Sequence, residues 1–278
     1  MKGRPGAVAY AAIAGLLGLL LYPAGGWLVR SWLVNPYYSH GFMIAPFAAL
    51  VAWRQWRQVA SAPRQGGAWA GLGLAAASLA GIVWAQRWQD YALAALATVP
   101  LLAGILLYLE GWPRLRPWLF PLLFLALMVP LPAIDRLSPW MESFTARWAT
   151  GLARLVGVAA VQQGGEITLA GGSIVVGAPC SGLRSMVAIT TLGVAWVYLV
   201  EGRWTAKVVL LLALLPLVAA ANVVRVAGLL AVAAVWGHDV ALTYYHDWSG
   251  VVLFLLAVLG MLGLGKVLGC AQVRDDIW

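Results

Sequence analysis

From Leu210 to Trp236 the chain is apolar apart from two side chains, Asn222 and Arg225. A bilayer's hydrocarbon core is crossed by about 20 helical residues, so a run of this kind points to a membrane span. Comparable runs recur along the sequence. Charged residues make up only 10% of it and hydrophobic ones 63%, against roughly 25% charged in a soluble domain. The formal charge of +8 comes from basic residues scattered singly between apolar runs. That is the positive-inside pattern of a membrane protein, not the basic patch of a nucleic-acid binder. Two cysteines, Cys180 and Cys270, give no disulfide framework.

Taken in order, the runs predict an all-α integral membrane protein of about eight spans. The first, about 7–28, follows the basic Met1-Lys2-Gly3-Arg4; it is too long for a signal peptide and has no small-residue cleavage site. Others are expected over about 41–53, 68–85, 91–109, 117–131, 183–200, from 208 onward, and over 250–268. With both termini cytoplasmic, Arg54, Arg57, Arg64, Arg114, Arg116, Arg203, Lys207, Lys266 and Arg274 fall inside, and Arg30, Arg87, Arg136, Arg147 and Arg154 outside. The run ending at Trp236 is long for one upright span, which predicts a helix that is tilted, broken near Arg225 or re-entrant.

The whole chain, 1–278, reads as a single multi-pass domain with one extracytoplasmic insertion over about 135–179. Within it, Ser138-Pro139 reads as a helix start, serine capping and proline in the first turn. Phe144, Trp148, Leu152 and Leu155 then recur at helical spacing, as on a helix lying in the interface. Two β-prone runs, 166–170 and 173–176, joined by Gly171-Gly172, predict a hairpin with a primed turn.

The insertion feeds into Ala178-Pro179-Cys180-Ser181-Gly182-Leu183-Arg184-Ser185. Pro179 disfavours helix before it, so a helix is expected to begin at or just after Cys180. A thiol at a helix N-terminus has a lowered pKa and makes a nucleophile; the other reading is a small buried packing residue. Gly182 leaves room for a substrate backbone to approach the first-turn N–H groups as an oxyanion hole. Arg184, four residues on, either pairs with a substrate charge or anchors the helix end. Arg225 is costly inside an apolar helix without partners, roughly 2.5–3.5 kcal/mol, and is a functional candidate on that ground. From an inner boundary at Val208, about 17 residues rise roughly 26 Å and bring it near the outer face, although an arginine there can also snorkel to headgroups. Asn222 lies one turn earlier and can orient the guanidinium. A thiol nucleophile needs a histidine within hydrogen-bond reach. His246, before the last span, is the first choice, with His40 and His238 as competitors. The surrounding tyrosines and tryptophans read as an interfacial belt. No ligand spacing supports a metal site, and no cofactor is expected.

With these residues in place the chain resembles the exosortase/archaeosortase family. The resemblance rests on Pro179-Cys180-Ser181-Gly182-Leu183-Arg184-Ser185, on Asn222-Val223-Val224-Arg225-Val226, on His246 with Gly250 following, and on Tyr38-Ser39-His40-Gly41. It covers most of the chain from about Asn35 to the last span. It implies Cys180 as nucleophile, His246 as general acid/base and Arg225 as stabiliser of the tetrahedral intermediate, with Ser181, Gly182, Arg184 and Asn222 in support. The implied substrates are membrane-anchored proteins with a C-terminal sorting signal: a short motif, typically of Pro-Glu-Pro type in bacteria, a transmembrane helix and a basic tail. The implied place is the outer face of the inner membrane, often alongside exopolysaccharide synthesis. A non-enzymatic membrane assembly or export component, with Cys180 as packing and Arg225 on an anionic headgroup, is the alternative.

Overall fold

The structure is a computed structural model that describes residues 7–177 and 180–275. Met1-Lys2-Gly3-Arg4, the Ala178-Pro179 step and Asp276 lie outside the described residues. The chain forms two compact units that meet in sequence between Leu131 and Pro132.

The N-terminal unit is helical: α1 (Ala7–Val34), α2 (Gly41–Arg54), α3 (Trp56–Ser61), α4 (Trp69–Arg87), α5 (Tyr91–Leu109) and α6 (Trp112–Phe124), the last running into a 3-10 turn over Leu125–Met128. Small residues let α4 and α5 approach closely, as helices in lipid do when no hydrophobic effect drives them together. A Cβ added at Gly104 would lie 2.6 Å from the Ala75 amide nitrogen, and one at Gly71 would lie 2.8 Å from the Gly104 carbonyl oxygen. Asp90 caps α5 by accepting the Leu93 N–H at 3.0 Å. After α5, Glu110 takes Arg64 at 3.2 Å and Arg114 at 2.7 Å. In the Tyr38-Ser39-His40-Gly41 stretch, the Tyr38 hydroxyl accepts the Leu131 N–H at 3.0 Å and the His40 ring stacks on Tyr38.

The C-terminal unit holds α7 (Pro132–Leu155), β1 (Ala160–Gln163), β2 (Glu166–Leu169), β3 (Gly172–Val175), α8 (Leu183–Leu199), α9 (Trp204–Trp236), α10 (His238–Val240), a π-helical turn over Ala241–Tyr245, and α11 (His246–Val267). The strands form an antiparallel sheet in the order β1-β2-β3. Alternate residues Ile167, Leu169, Ile174 and Val176 point inward. They pack with Ala146, Ala149 and Ala153 of α7 and with Val226, Leu229, Leu230 and Ala233 of α9. The lower half of α9 packs differently, with Leu214 and Val218 against Ile189 of α8 and Ala257 and Met261 of α11. Cys270 is fully buried in a separate cluster with Val200 and Leu210.

Several expectations change. Among the described residues, five helices have the length and apolarity to cross a membrane, over Ala11–Val34, Trp69–Arg87, Tyr91–Leu109, Trp204–Trp236 and Trp248–Val267, with a sixth if 112–128 and 132–155 form one broken span. Two of the eight expected spans, about 41–53 and 183–200, correspond to α2 (Gly41–Arg54) and α8 (Leu183–Leu199). These are apolar helices of 14 and 17 residues, about 21 and 26 Å long against a hydrocarbon core of about 30 Å. α9 is one continuous helix with Pro216 inside it, neither broken near Arg225 nor re-entrant. α7 starts at Pro132 and not at Ser138; Ser138 Oγ bonds Glu142 Oε1 at 2.7 Å instead of capping. Of the expected stripe, Trp148, Leu152 and Leu155 face outward, while Phe144 is half-buried against the core that the alanines face.

The expected hairpin is present as β2 and β3, but Leu169 pairs with Gly172, so the turn is Ala170-Gly171. The positive φ, +144°, falls on Gly172 after the turn, which is not the primed geometry. Strand β1 was not expected, because Ala160-Val161-Gln162-Gln163 has no clear alternation. Its turn to β2 is Gly164-Gly165, with φ +60° at Gly164, as a type II′ turn requires.

Close packing at Gly104 leaves no space for a methyl group. Gly104→Ala should destabilise the protein by about 1–3 kcal/mol, read as a lower thermal unfolding midpoint in detergent. Gly73→Ala, where nothing lies within 4 Å, serves as the neutral comparison.

Candidate active site

Cys180 sits between the sheet and α8, in a turn whose N–H groups both point back: Cys180 N–H and Ser181 N–H bond the Gly177 carbonyl at 2.8 and 3.0 Å. Gly182 follows in the left-handed region at φ +82° and precedes the first residue of α8, Leu183. The Leu183 N–H is taken by Ser181 Oγ at 3.3 Å. The helix therefore begins three residues after the cysteine, and the N–H groups of 180 and 181, expected to face a substrate oxyanion, are already bonded to Gly177. The space above Gly182 is also filled. A Cβ there would lie 2.7 Å from the Asn222 side chain, so the glycine makes room for Asn222 and not for substrate.

The thiol meets His246, the first residue of α11, with Sγ and Nε2 3.2 Å apart. The π-helical turn Ala241–Tyr245 delivers His246 to this place; such turns are frequent at functional sites. Cys180 is 9% exposed and belongs to the core cluster beneath the sheet. Burial pushes its pKa up, and the Arg225 guanidinium pulls the other way with the smaller effect. The direction is opposite to that expected from a helix terminus, because the sulfur is beside the helix start and out of water. At neutral pH the thiol is the favoured form.

Arg225 is half-buried on α9 and donates from Nη1 to Asn222 Oδ1 at 3.2 Å. Asn222, fully buried, donates from Nδ2 to the Cys180 carbonyl at 2.9 Å. Arg225 also lines a cavity of about 440 Å³, otherwise mostly apolar, with Ala221, Val224, Trp248, Val252 and Leu256. Arg184 is exposed on the first turn of α8. His238 lies elsewhere, its ring against Gly171 and Gly172, and His40 belongs to the N-terminal unit. Among the described residues no group of three or more His, Cys, Asp or Glu forms a metal site. Cys180, His246, Asn222 and Arg225 are thus brought together.

Two residues were missed. Tyr245, read as belt, donates its hydroxyl to the Arg225 carbonyl at 3.2 Å and rests on Gly228, where a Cβ would strike its phenol. Thr145 donates to the Ser181 carbonyl at 3.1 Å. No sequence signal singles it out, since α7 carries a second buried threonine, Thr150.

A raised thiol pKa means a smaller thiolate fraction at any given pH, and alkylating probes consume thiolate. Alkylation of Cys180 should therefore be slow at neutral pH and reach half its maximum above the ordinary cysteine range. Arg225→Gln removes the opposing positive charge and should move that profile further up; an unmoved profile would separate Arg225 from the thiol.

The family model described as Transmembrane exosortase (Exosortase_EpsH) matches residues 32–263. No curated protein and no solved structure matches. The match takes in both compact units and all four residues gathered at the thiol, and the chain belongs to the transmembrane exosortase family.

Proposed function

We propose that this membrane protein is a cysteine protease or transpeptidase in which Cys180 is the nucleophile, His246 the general acid/base and Arg225 the stabiliser of the oxyanion. The observation that carries the reading is the 3.2 Å approach of Cys180 Sγ to His246 Nε2, within the reach a general base needs. Because the thiol is favoured at rest, His246 takes its proton as Sγ attacks the scissile carbonyl. The carbonyl oxygen becomes an oxyanion. The N–H groups of Cys180 and Ser181 are engaged with Gly177, and Arg225 presents a fork of N–H donors suited to stabilising it. As the tetrahedral intermediate collapses, the C–N bond breaks and His246 returns the proton to the leaving amine. A thioester on Cys180 remains, which water or an acceptor amine or hydroxyl resolves, with release of the thiol.

The substrates that family membership supports are exported proteins held in the membrane by a C-terminal sorting signal, with the site at the outer face of the bacterial inner membrane and both termini cytoplasmic. The outward Trp148, Leu152 and Leu155 of α7 fit a helix resting at that surface. The burial of Cys180 favours one other reading, a non-enzymatic assembly or export component with Cys180 as packing and Arg225 on an anionic headgroup.

Cys180→Ala decides between them: substrate should accumulate unprocessed in the membrane, and processing at the normal rate would leave only the non-enzymatic reading. For Arg225→Lys the turnover rate should fall by about 100-fold, the cost of losing an oxyanion donor, because an ammonium cannot reproduce the planar fork. Full activity would mean that a point charge suffices.

A further inference from the structure

We infer that Thr145 of α7 is a positioning residue for this site, acting through Asn222 and the backbone that carries Cys180. The inference rests on the reading of Cys180 as nucleophile and Arg225 as oxyanion donor. Thr145 is 1% exposed, and Asn222 and Ser181 are fully buried. No water-facing surface compensates these groups, so each must be satisfied by protein partners.

Those partners form one chain of bonds with a fixed direction. The Thr145 hydroxyl has a single proton and gives it to the Ser181 carbonyl at 3.1 Å. Its oxygen then faces Asn222 Nδ2, at 3.5 Å, as an acceptor. The amide's other proton goes to the Cys180 carbonyl at 2.9 Å, and Oδ1 accepts from Arg225 Nη1 at 3.2 Å. Turning the amide over would set Nδ2 against the guanidinium, donor to donor, and Oδ1 against the Cys180 carbonyl, acceptor to acceptor. Only one orientation satisfies every member. Thr145 helps to fix it from the side away from Arg225, and holds the second of two consecutive carbonyls, 180 and 181, that anchor the nucleophile's turn.

Valine has nearly the same shape as threonine but neither gives nor takes a hydrogen bond. In Thr145→Val the Ser181 carbonyl loses the Thr145 donor and one amide proton loses the Thr145 acceptor, inside a buried network. The amide is then less firmly held, and with it the guanidinium and the sulfur. Thr145 does not touch the reacting atoms, so the loss belongs in the chemical step and not in substrate binding.

The test uses the full chain in proteoliposomes with a membrane-anchored peptide substrate. Thr145→Val should lower kcat about tenfold, the scale of one buried hydrogen bond, with KM changed by less than about twofold. Thr145→Ser, which keeps the hydroxyl, should recover most of the rate. The pH profile of Cys180 alkylation should move up in the valine variant and not in the serine variant, because the guanidinium is less well placed to favour the thiolate. A normal kcat in Thr145→Val overturns the inference. So do equal losses in the valine and serine variants with an unmoved alkylation profile, which mark a packing role. Should the valine variant not fold, Asn222→Asp keeps the volume while opposing an acceptor to the Cys180 carbonyl. Its loss of kcat with Thr145→Ser active supports the inference, and its normal kcat overturns it. Processing by Cys180→Ala in the same assay would instead remove the underlying reading of the site.

Discussion

The bond from Asn222 Nδ2 to the Cys180 carbonyl, 2.9 Å long and fully out of water, is the contact on which this site depends. It joins a turn of the chain to a helix that begins more than twenty residues later, and it does so in surroundings where an unpaired amide or carbonyl is expensive. Low local polarity strengthens each hydrogen bond and penalises each missing one. A network of this kind is therefore either fully made or a liability. Here the amide spends its two protons on Cys180 and Thr145 and its oxygen on Arg225, so the position of a backbone turn, a helix face and a cation are set by one side chain.

The length of α9 explains why the network sits where it does. Its 33 residues extend about 50 Å, well beyond the hydrocarbon core of about 30 Å. The first half packs against α8 and α11 through Leu214 and Val218, and the second half packs under the sheet and α7 through Leu229, Leu230 and Ala233. Asn222 and Arg225 fall at the changeover between these two packings. A side chain there is held by a rigid helix on both sides, which fixes its position more firmly than a loop would. Tyr245 adds a second fixture, its hydroxyl on the Arg225 carbonyl and its ring on the open face of Gly228.

Much of this was legible in the sequence, and what was not has identifiable causes. Cys180, Arg225 and His246 stand out because each is chemically conspicuous in apolar surroundings, and the family resemblance orders them. The helices α4, α5 and α11 follow from long unbroken apolar runs. Local pattern could not place the start of α8. The positive φ of Gly182 delays the helix to Leu183, and with it the expected helix-terminus effect on the thiol gives way to burial. The Ser138-Pro139 signal was overridden because α7 begins earlier and carries Pro139 within it. Strand β1 has no alternation of its own and exists because β2 offers it a partner. Thr145 was invisible for a related reason: its importance lies in what α7 is packed against, and nothing in the neighbouring residues states that.

Gly182 is constrained twice. Its φ of +82° is strained for most residues with a side chain, and the volume that a Cβ would take is occupied by Asn222. Relief of one constraint does not help the other, since a residue tolerant of left-handed backbone, such as asparagine, still carries a Cβ. In the terms of a mutational landscape, this position strongly favours one letter, since every other residue meets the space taken by Asn222. Compensation from Asn222 is closed as well, because a smaller residue there that freed the space would release the Cys180 carbonyl and Arg225 together. The two positions form a lock that single substitutions cannot open gradually, and drift through them is confined to sequences that keep both.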